Sequence, residues 1–418
     1  MLTGAVMPPT WQFAELGTLR ASGDNSLAGG PFGSDLTTVD YQTEPGVPVI
    51  RGTNLGGEGG EFVDDGFVFV SNRKAESLRR NMAFPGDIVF TQRGTLGQVA
   101  IIPTKPRFPC YVISQSQMKL TPDIRRIDVR FLFHYFRSPL LLAQISARTL
   151  ATGVPHINLG ILKALPVPIP PLPEQRRIAA ILDQSIALRA KRRAALAKLD
   201  QLTHSIFLEH FGDPADNSKG WPDSTLLGDV ADIASGITKG RVLKGQPTRT
   251  VPYLAVSNVQ DRSLDLSVVK QIEATEDEIR RYQLRQNDLL LTEGGDPDKL
   301  GRGTLWNSEI PACIHQNHIF RVRVTSALVK PLFLNWLVGS QRGKRYFLRS
   351  AKQTTGIASI NMTQLRGFPL LLPPVDLQQS FARSVAAVDS LKAVHLASLA
   401  KLDALFASLQ HRAFSGEM

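Results

Sequence analysis

Two groupings of side chains in this 418-residue chain have residue types suited to catalysis or metal binding. Cys313, His315 and His318 are thiol and imidazole ligands of the kind zinc takes. They come from one short stretch with strand-like alternation, and three ligands so placed do not close a tetrahedral site. Glu293, Asp296 and Asp298 beside Lys299 have the composition of a magnesium-dependent nuclease cluster. Gly294, Gly295 and Pro297 among them indicate a flexible loop instead. The chain has no Gly-x-x-x-x-Gly-Lys-Ser/Thr phosphate loop and no Asn-Pro-Pro-Tyr/Phe or Asp-Pro-Pro-Tyr stretch of the kind that amino-methyltransferases place beside a flipped adenine. We therefore expect no catalytic residue, no metal site and no bound cofactor in this chain. Its densest cationic cluster is Arg189, Lys191, Arg192 and Arg193. That cluster reads first as a solvated helix face and second as a contact for phosphate or a partner subunit.

The elements that must carry these groups are organised around Pro166–Phe211. The stretch opens Pro-Val-Pro-Ile-Pro-Pro-Leu-Pro-Glu-Gln and then runs free of proline and glycine from Glu174 to Phe211. Ile178, Ile181, Ser185, Leu188, Arg192, Ala195, Leu199, Leu202 and Ile206 form a mostly apolar stripe at helical spacing. Glu174–Phe211 as one helix would extend roughly 55 Å, and a narrow stripe on so long a helix calls for a second helix. A matching run lies at the C-terminus, where Phe381, Ser384, Val388, Leu391, His395, Ser398, Leu402, Leu405 and Leu409 repeat the stripe. Asn158 and Asn361, Pro171 and Pro374, Asp200 and Asp403, and Phe211 and Phe414 are each 203 residues apart, so the chain is an internal duplication.

A hydrophobic content of 43% supports a large core, and a formal charge of +11 suits a polyanionic partner. Two cysteines, Cys110 and Cys313, are too few for a disulfide framework and read as reduced thiols. The N-terminus has neither a charged region nor a long apolar segment of a secretion signal, and no stretch nears eighteen unbroken apolar residues. A soluble, cytoplasmic protein without membrane association is the expectation.

Four segments follow: residues 1–165, a first β-rich domain; 166–212, a long helix; 213–368, a second β-rich domain; and 369–418, a second long helix. Pro48–Leu55, Phe67–Val70 and Gly86–Thr95 supply strands and turns of the first domain, and Val129–Thr149 reads as one helix. Pro252–Val259, Asn287–Gly295 and Pro331–Leu337 repeat that order. Gly153 with Asn158, and Gly356 with Asn361, close each globular part, and Gly212–Gly220 joins the halves. The fold class is α+β, two similar β-rich domains separated by a pair of long antiparallel helices with pseudo-twofold repeat. Because the midpoints of equal antiparallel helices meet, Arg192 should lie beside its repeat mate His395.

The run from Thr152 through Asn158 to Leu165-Pro-Val-Pro-Ile-Pro-Pro-Leu-Pro-Glu-Gln-Arg-Arg-Ile-Ala-Ala-Ile-Leu-Asp183 resembles the central conserved region of the DNA-specificity subunits of type I restriction-modification enzymes. Gly29-Gly-Pro-Phe-Gly-Ser34, Arg51-Gly-Thr-Asn-Leu55 and Pro85-Gly-Asp-Ile-Val-Phe-Thr-Gln-Arg-Gly-Thr-Leu-Gly97 are similar to that family's target-recognition domains. The second copy departs where Pro173-Glu174-Gln175 becomes Asp376-Leu377-Gln378, and in the insert Gly294–Gly301. The resemblance implies a non-catalytic reader of double-stranded DNA. Each domain would read half of a split site, while the helices set the gap and dock two methyltransferase subunits. Motor-nuclease subunits would complete the enzyme, with S-adenosylmethionine, ATP and Mg²⁺ all on those partners.

Reading bases requires amide, hydroxyl and guanidinium groups on loops that face base edges. In the first domain the candidates are Arg51, Asn54, Arg93, Thr95, Gln115 and Ser116; in the second they are Lys239, Arg241, Asn258, Lys299, Arg302, Gln316 and Asn317. Each could instead stabilise a turn or sit solvated. The helix seam, with docking as its second use, is assigned to Ile178, Ile181, Leu188, Arg192, Leu199, Leu202 and Ile206. On the second helix it is assigned to Phe381, Val388, Leu391, His395, Leu402, Leu405 and Leu409. Two other classes compete: a coiled-coil scaffold with protein-binding heads, which would lack salt-sensitive duplex binding, and a stand-alone DNA-modifying enzyme, which would turn over DNA by itself.

Overall fold

Prolines at 166, 168, 170 and 171 remove amide donors, so the segment before the first long helix is an edge strand. Pro166–Ile169 pairs antiparallel with Gln12–Glu15. The helix that follows, Leu172–Phe211, has 40 residues, and its counterpart Val375–Ser415 has 41. The computed structural model describes residues 11–43, 46–56, 61–149, 154–243, 245–295, 300–354 and 357–418. Thr152, Gly153, Asp296, Asp298, Lys299 and Gly356 lie outside the described residues. Among the described residues no helix is long and apolar enough to cross a membrane.

The chain divides into two compact units, Met1–Leu196 with Val394–Met418, and Ala197–Ala393. Each unit contains one β-rich head and a segment of both long helices. In the first head a four-stranded antiparallel sheet runs in the order Leu27–Gly29, Gln117–Leu120, Ile88–Thr91, Val99–Ile101. In the second head the order is Ala231–Ser235, Ile319–Val324, Leu289–Thr292, Gly303–Leu305. A parallel pair recurs as well, Val47–Ile50 with Tyr111–Ile113 and Arg249–Leu254 with Ile314–His315. The duplication legible in the helices thus extends to sheet order in both heads.

The single helix expected over Val129–Thr149 is two, Val129–Phe136 and Pro139–Ala147. Pro139 cannot continue a helix but fits a first turn, and Ser138 caps that turn by accepting from Leu141 N.

Within each unit the two helix segments run antiparallel. In the first, Arg189 Nε donates to Asp403 Oδ1 at 2.5 Å, and Arg192 Nη1 lies 2.9 Å from His395 Nδ1, the approach expected from the repeat. In the second, Lys392 Nζ lies 2.8 Å from Asp200 Oδ1. Arg189–Asp403 and Lys392–Asp200 are images of one another under the 203-residue offset.

These ion pairs explain a correction to the seam. Leu188, Leu202, Leu391 and Leu405 are 45–53% exposed and lie off it. The positions one residue later, Arg189, Thr203, Lys392 and Phe406, face inward instead. One residue is about 100° of helix rotation. A count of apolar residues passes over Arg189 and Lys392 and settles on the neighbouring leucines. The remaining assigned positions, Ile178, Ile181, Arg192, Leu199, Ile206, Phe381, Val388, His395, Leu402 and Leu409, are buried or half-buried.

Apolar packing welds each head to its helices. In the first unit Phe414 packs on Phe131 and Tyr135, at ring separations of 5.5 and 5.2 Å. In the second unit Phe207 stacks on Trp336 at 5.3 Å, and Phe211 meets Phe333 at 4.7 Å and Phe381 at 5.3 Å. Burial of each such ring contributes roughly 1.5–3 kcal/mol.

A buried glutamine then fixes where each helix begins. Gln175 is fully buried; its Nε2 donates to Pro170 O and Arg126 O, and its Oε1 accepts from Asp128 N. Gln378 repeats this with Pro373 O, Leu328 O and Lys330 N. Gln175→Ala, and equally Gln378→Ala, strands one amide and two carbonyls in the interior. Either substitution should cost about 1–3 kcal/mol, read as a lower urea midpoint; an unchanged midpoint contradicts this role.

The first unit adds a polar joint at Asp183, whose repeat mate in the second is Ala386. Burial disfavours ionisation of Asp183, but hydrogen bonds from His134 Nε2 at 2.7 Å and from Arg130 Nε at 2.9 Å outweigh it, holding the carboxyl down at about 2. A carboxyl depressed in the folded state adds stability above its unfolded value, near pH 4, and loses it as pH falls toward 2. The melting-temperature gap between wild type and Asp183→Asn should therefore be constant above about pH 5 and close below about pH 4. A gap that widens on acidification would reverse the assignment.

Candidate nucleic-acid interface

Three loops meet at one end of the sheets in each head, and their backbones hold one another. In the first head Ser114 N donates to Ile50 O, which brings the turn at Ser114–Ser116 beside Arg51. Gln92 N and Arg93 N both donate to Ser116 O, at 2.7 and 3.3 Å, so the Gln92–Gly97 turn sits on that turn. The loop after Gly29 closes the group. A Cβ on Gly30 would fall 2.3 Å from Ser114 O, so only glycine permits this approach. The closing segment joins as well, since Gly94 N donates to Pro155 O and Ile157 N to Gln92 O.

The second head repeats the construction. A Cβ on Gly236 would lie 2.0 Å from His315 O, Ile237 N donates to His315 O, and Asn317 N donates to Ile237 O. Glu293 N donates to His318 O, and Ile360 N returns to Glu293 O. Gly294–Gly295, at the start of the insert, forms a strand with Ile357–Ser359.

The side chains chosen from sequence separate into two groups. Arg93, Thr95, Gln115 and Lys239 are exposed at this end; Arg51, Ser116, Arg302, Gln316 and Asn317 are half-buried there. Gln115 Nε2 braces the neighbouring loop through Gly33 O and Leu36 O. Arg51 and Arg302 each keep a buried Nε without a hydrogen-bond partner. Lys299 is outside the described residues.

Three candidates are corrected to structural roles. Asn54 is 1% exposed; its Nδ2 donates to Val63 O and Asp65 O, and its Oδ1 accepts from Arg51 N. Asn258, 3% exposed, makes the equivalent bonds with Asp265 O, Val268 O and Ala255 N. With every polar atom engaged inside the fold, neither can present its amide to a base. Arg241 is held by Glu278, at 2.5 and 2.7 Å, and by Glu273 O at 2.8 Å. This contact, led by the hydrogen bonds from Arg241, holds the Glu278 carboxyl down at about 2.

Buried charge also supports the platform. Lys119 Nζ lies 3.3 Å from Asp87, and Arg323 donates to Asp288 at 2.7 Å, a matched pair in the two sheets. His315 is buried with Nδ1 on Ile319 O, and burial pushes its imidazole down to about 4. His318 is exposed and pairs with Glu293 at 2.6 Å. The two imidazoles therefore do separate work.

Sequence reading missed Gln175 and Gln378 as fixing points, although Gln is the residue kept where Pro173-Glu174 changes to Asp376-Leu377. It also missed Phe32, exposed in the loop after Gly30, and His156, bridged to Arg93. The first is apolar and the second lies far along the chain, so no pattern of polar spacing points to them.

Residues 40–198 match the family profile described as the type I restriction modification DNA specificity domain. The StySPI specificity subunit of Salmonella potsdam, a type I restriction enzyme component, is 22% identical over 99% of this chain and 90% of its own. The EcoKI specificity subunit of Escherichia coli K12 is 22% identical over 100% of this chain and 91% of its own. A solved structure described for the complex assembly and conformational transition of the type I R-M system superimposes with a TM-score of 0.61 at 19% identity, covering 99% of each chain, which shows a shared fold. Residues 40–198 thus match the type I restriction modification DNA specificity domain, and nearly the whole chain is similar to specificity subunits of such systems.

Proposed function

We propose that this chain is the sequence-specific, double-stranded-DNA recognition subunit of a type I restriction-modification complex, with each head reading one half of a bipartite target. The observation that carries this reading is the loop cluster built twice, each copy presenting hydrogen-bonding side chains from a glycine-fitted backbone. Arg93, Thr95, Gln115 and Ser116 face one half-site; Lys239, Arg302, Gln316 and Asn317 face the other. Guanidinium and amide groups recognise base edges, and the remaining cations hold phosphates.

The long helices, about 60 Å each at 1.5 Å per residue, space the heads so that half-sites one to one and a half turns apart are read together, taking ~34 Å per turn. Two methyltransferase subunits dock on the helix pair and carry S-adenosylmethionine. Motor-nuclease subunits carry ATP and Mg²⁺. The chain contributes no catalytic group to either reaction and works in the cytoplasm.

The defining experiment maps genome methylation in the host with and without this chain. Loss of one bipartite motif on deletion is expected; an unchanged methylation pattern overturns the reading. With the motif in hand, Arg93→Ala should weaken target binding by about 1–3 kcal/mol and relax the first half-site, whereas Asn54→Ala should lower stability and leave base preference unaltered. Equal relaxation by both would contradict the separation made above.

The spacer is tested apart from the heads. One heptad added to both helices should lengthen the unread gap by roughly 10 Å, about three base pairs. A gap of unchanged length would mean the helices do not set it.

A further inference from the structure

Phe32 is 88% exposed, although it stands between two buried anchors. Pro31 before it is buried, and Leu36 after it is 1% exposed in the cluster of Val49, Val70 and Val112. The loop is held from beneath as well. Gly30 packs on Ser114 O, Gln115 Nε2 donates to Gly33 O at 2.6 Å, Asn81 Nδ2 donates to Gly29 O at 2.7 Å, and Asp35 N closes on Phe32 O at 2.8 Å. A benzyl group on a loose loop would fold back on the nearest apolar surface. This loop is braced on both sides and keeps the ring in water, with Gln115 of the candidate interface bonded to its backbone.

The corresponding loop of the second head also carries an exposed apolar residue, six positions after its glycine where Phe32 stands two after Gly30. The loop seated by Gly236 carries Val242, 83% exposed, beside Arg241, which is pinned to Glu278 and Glu273 O. Arg241 is thus a positioning residue for that loop.

We propose that Phe32, and Val242 in the second head, are apolar contacts to the nucleobases of the half-site read by their own head, buried only when the target is bound. This rests on the DNA-recognition reading above. An aromatic ring at the groove floor packs on a thymine methyl or inserts at a base step; both present the same apolar surface of the base.

The test uses the full chain co-purified with its methyltransferase subunits, a duplex carrying the mapped target, and a duplex of equal length with the first half-site scrambled. Phe32→Ala should weaken binding of the target by at least ~10-fold, leave scrambled-duplex binding within about twofold because phosphate contacts are untouched, and leave the melting temperature unchanged. Phe32→Leu should recover most of the loss. With 2-aminopurine placed through the first half-site, a fluorescence rise present with wild type and absent with Phe32→Ala identifies base-step insertion. Deoxyuridine for thymine that reproduces the Phe32→Ala loss identifies methyl contact. Val242→Ala should act on the second half-site alone.

If Phe32→Ala binds the target as wild type does while Arg93→Ala still loses affinity, this proposal falls and the recognition reading stands. If wild type itself does not separate target from scrambled duplex, both fall. Weakened assembly with the methyltransferase subunits at unchanged DNA affinity would make Phe32 a protein contact and overturn the proposal.

Discussion

One buried glutamine per repeat governs how head and helix are joined. Gln175 and Gln378 each gather the carbonyl of the proline segment, a carbonyl of the head and an amide of the head around one side-chain amide. A helix leaving a head through a flexible joint could point anywhere. Three hydrogen bonds to a fully buried group leave little freedom, because any rotation would expose an unsatisfied donor or acceptor in the interior. The aromatic packing of Phe414 on Phe131 and of Phe211 on Phe333 then supplies energy to a geometry already defined by polar contacts.

The helix seam follows a similar economy. Its ends are apolar and its middle is charged, with Arg189 on Asp403, Arg192 on His395 and Lys392 on Asp200. Half-exposed ion pairs contribute little stability, on the order of 1 kcal/mol or less each. Their value lies in register, since a slip by one turn would leave partly buried charges without partners. Arg192 Nη1 beside His395 Nδ1 gives the seam a polar centre in place of an apolar one.

The candidate DNA face shows why polarity alone does not identify a reader. Asn54 and Asn258 are the residue type that best reads adenine, and both are spent holding a turn. Arg241 could fork onto guanine, and it is engaged by Glu278. Arg93, Thr95 and Lys239 have the same chemistry and stand in solvent. The difference is decided by what the fold needs at each turn, and the exposed set includes an apolar ring that no search for hydrogen-bonding groups would select.

The sequence by itself determined the duplication, the two long helices, the proline stops before them and the meeting of Arg192 with His395. Each rests on spacing along one chain, and helical rise and proline chemistry act locally. It also carried the family resemblance, through motifs kept in order. Only tertiary structure decided which flank of each helix is the seam, where Arg189, Thr203, Lys392 and Phe406 face inward in place of Leu188, Leu202, Leu391 and Leu405. Only tertiary structure, too, separated Asn54, Asn258 and Arg241 from the exposed candidates. The physical reason is common to both: a side chain's role depends on whether its partner is protein or solvent, and those partners come from residues far apart in the chain.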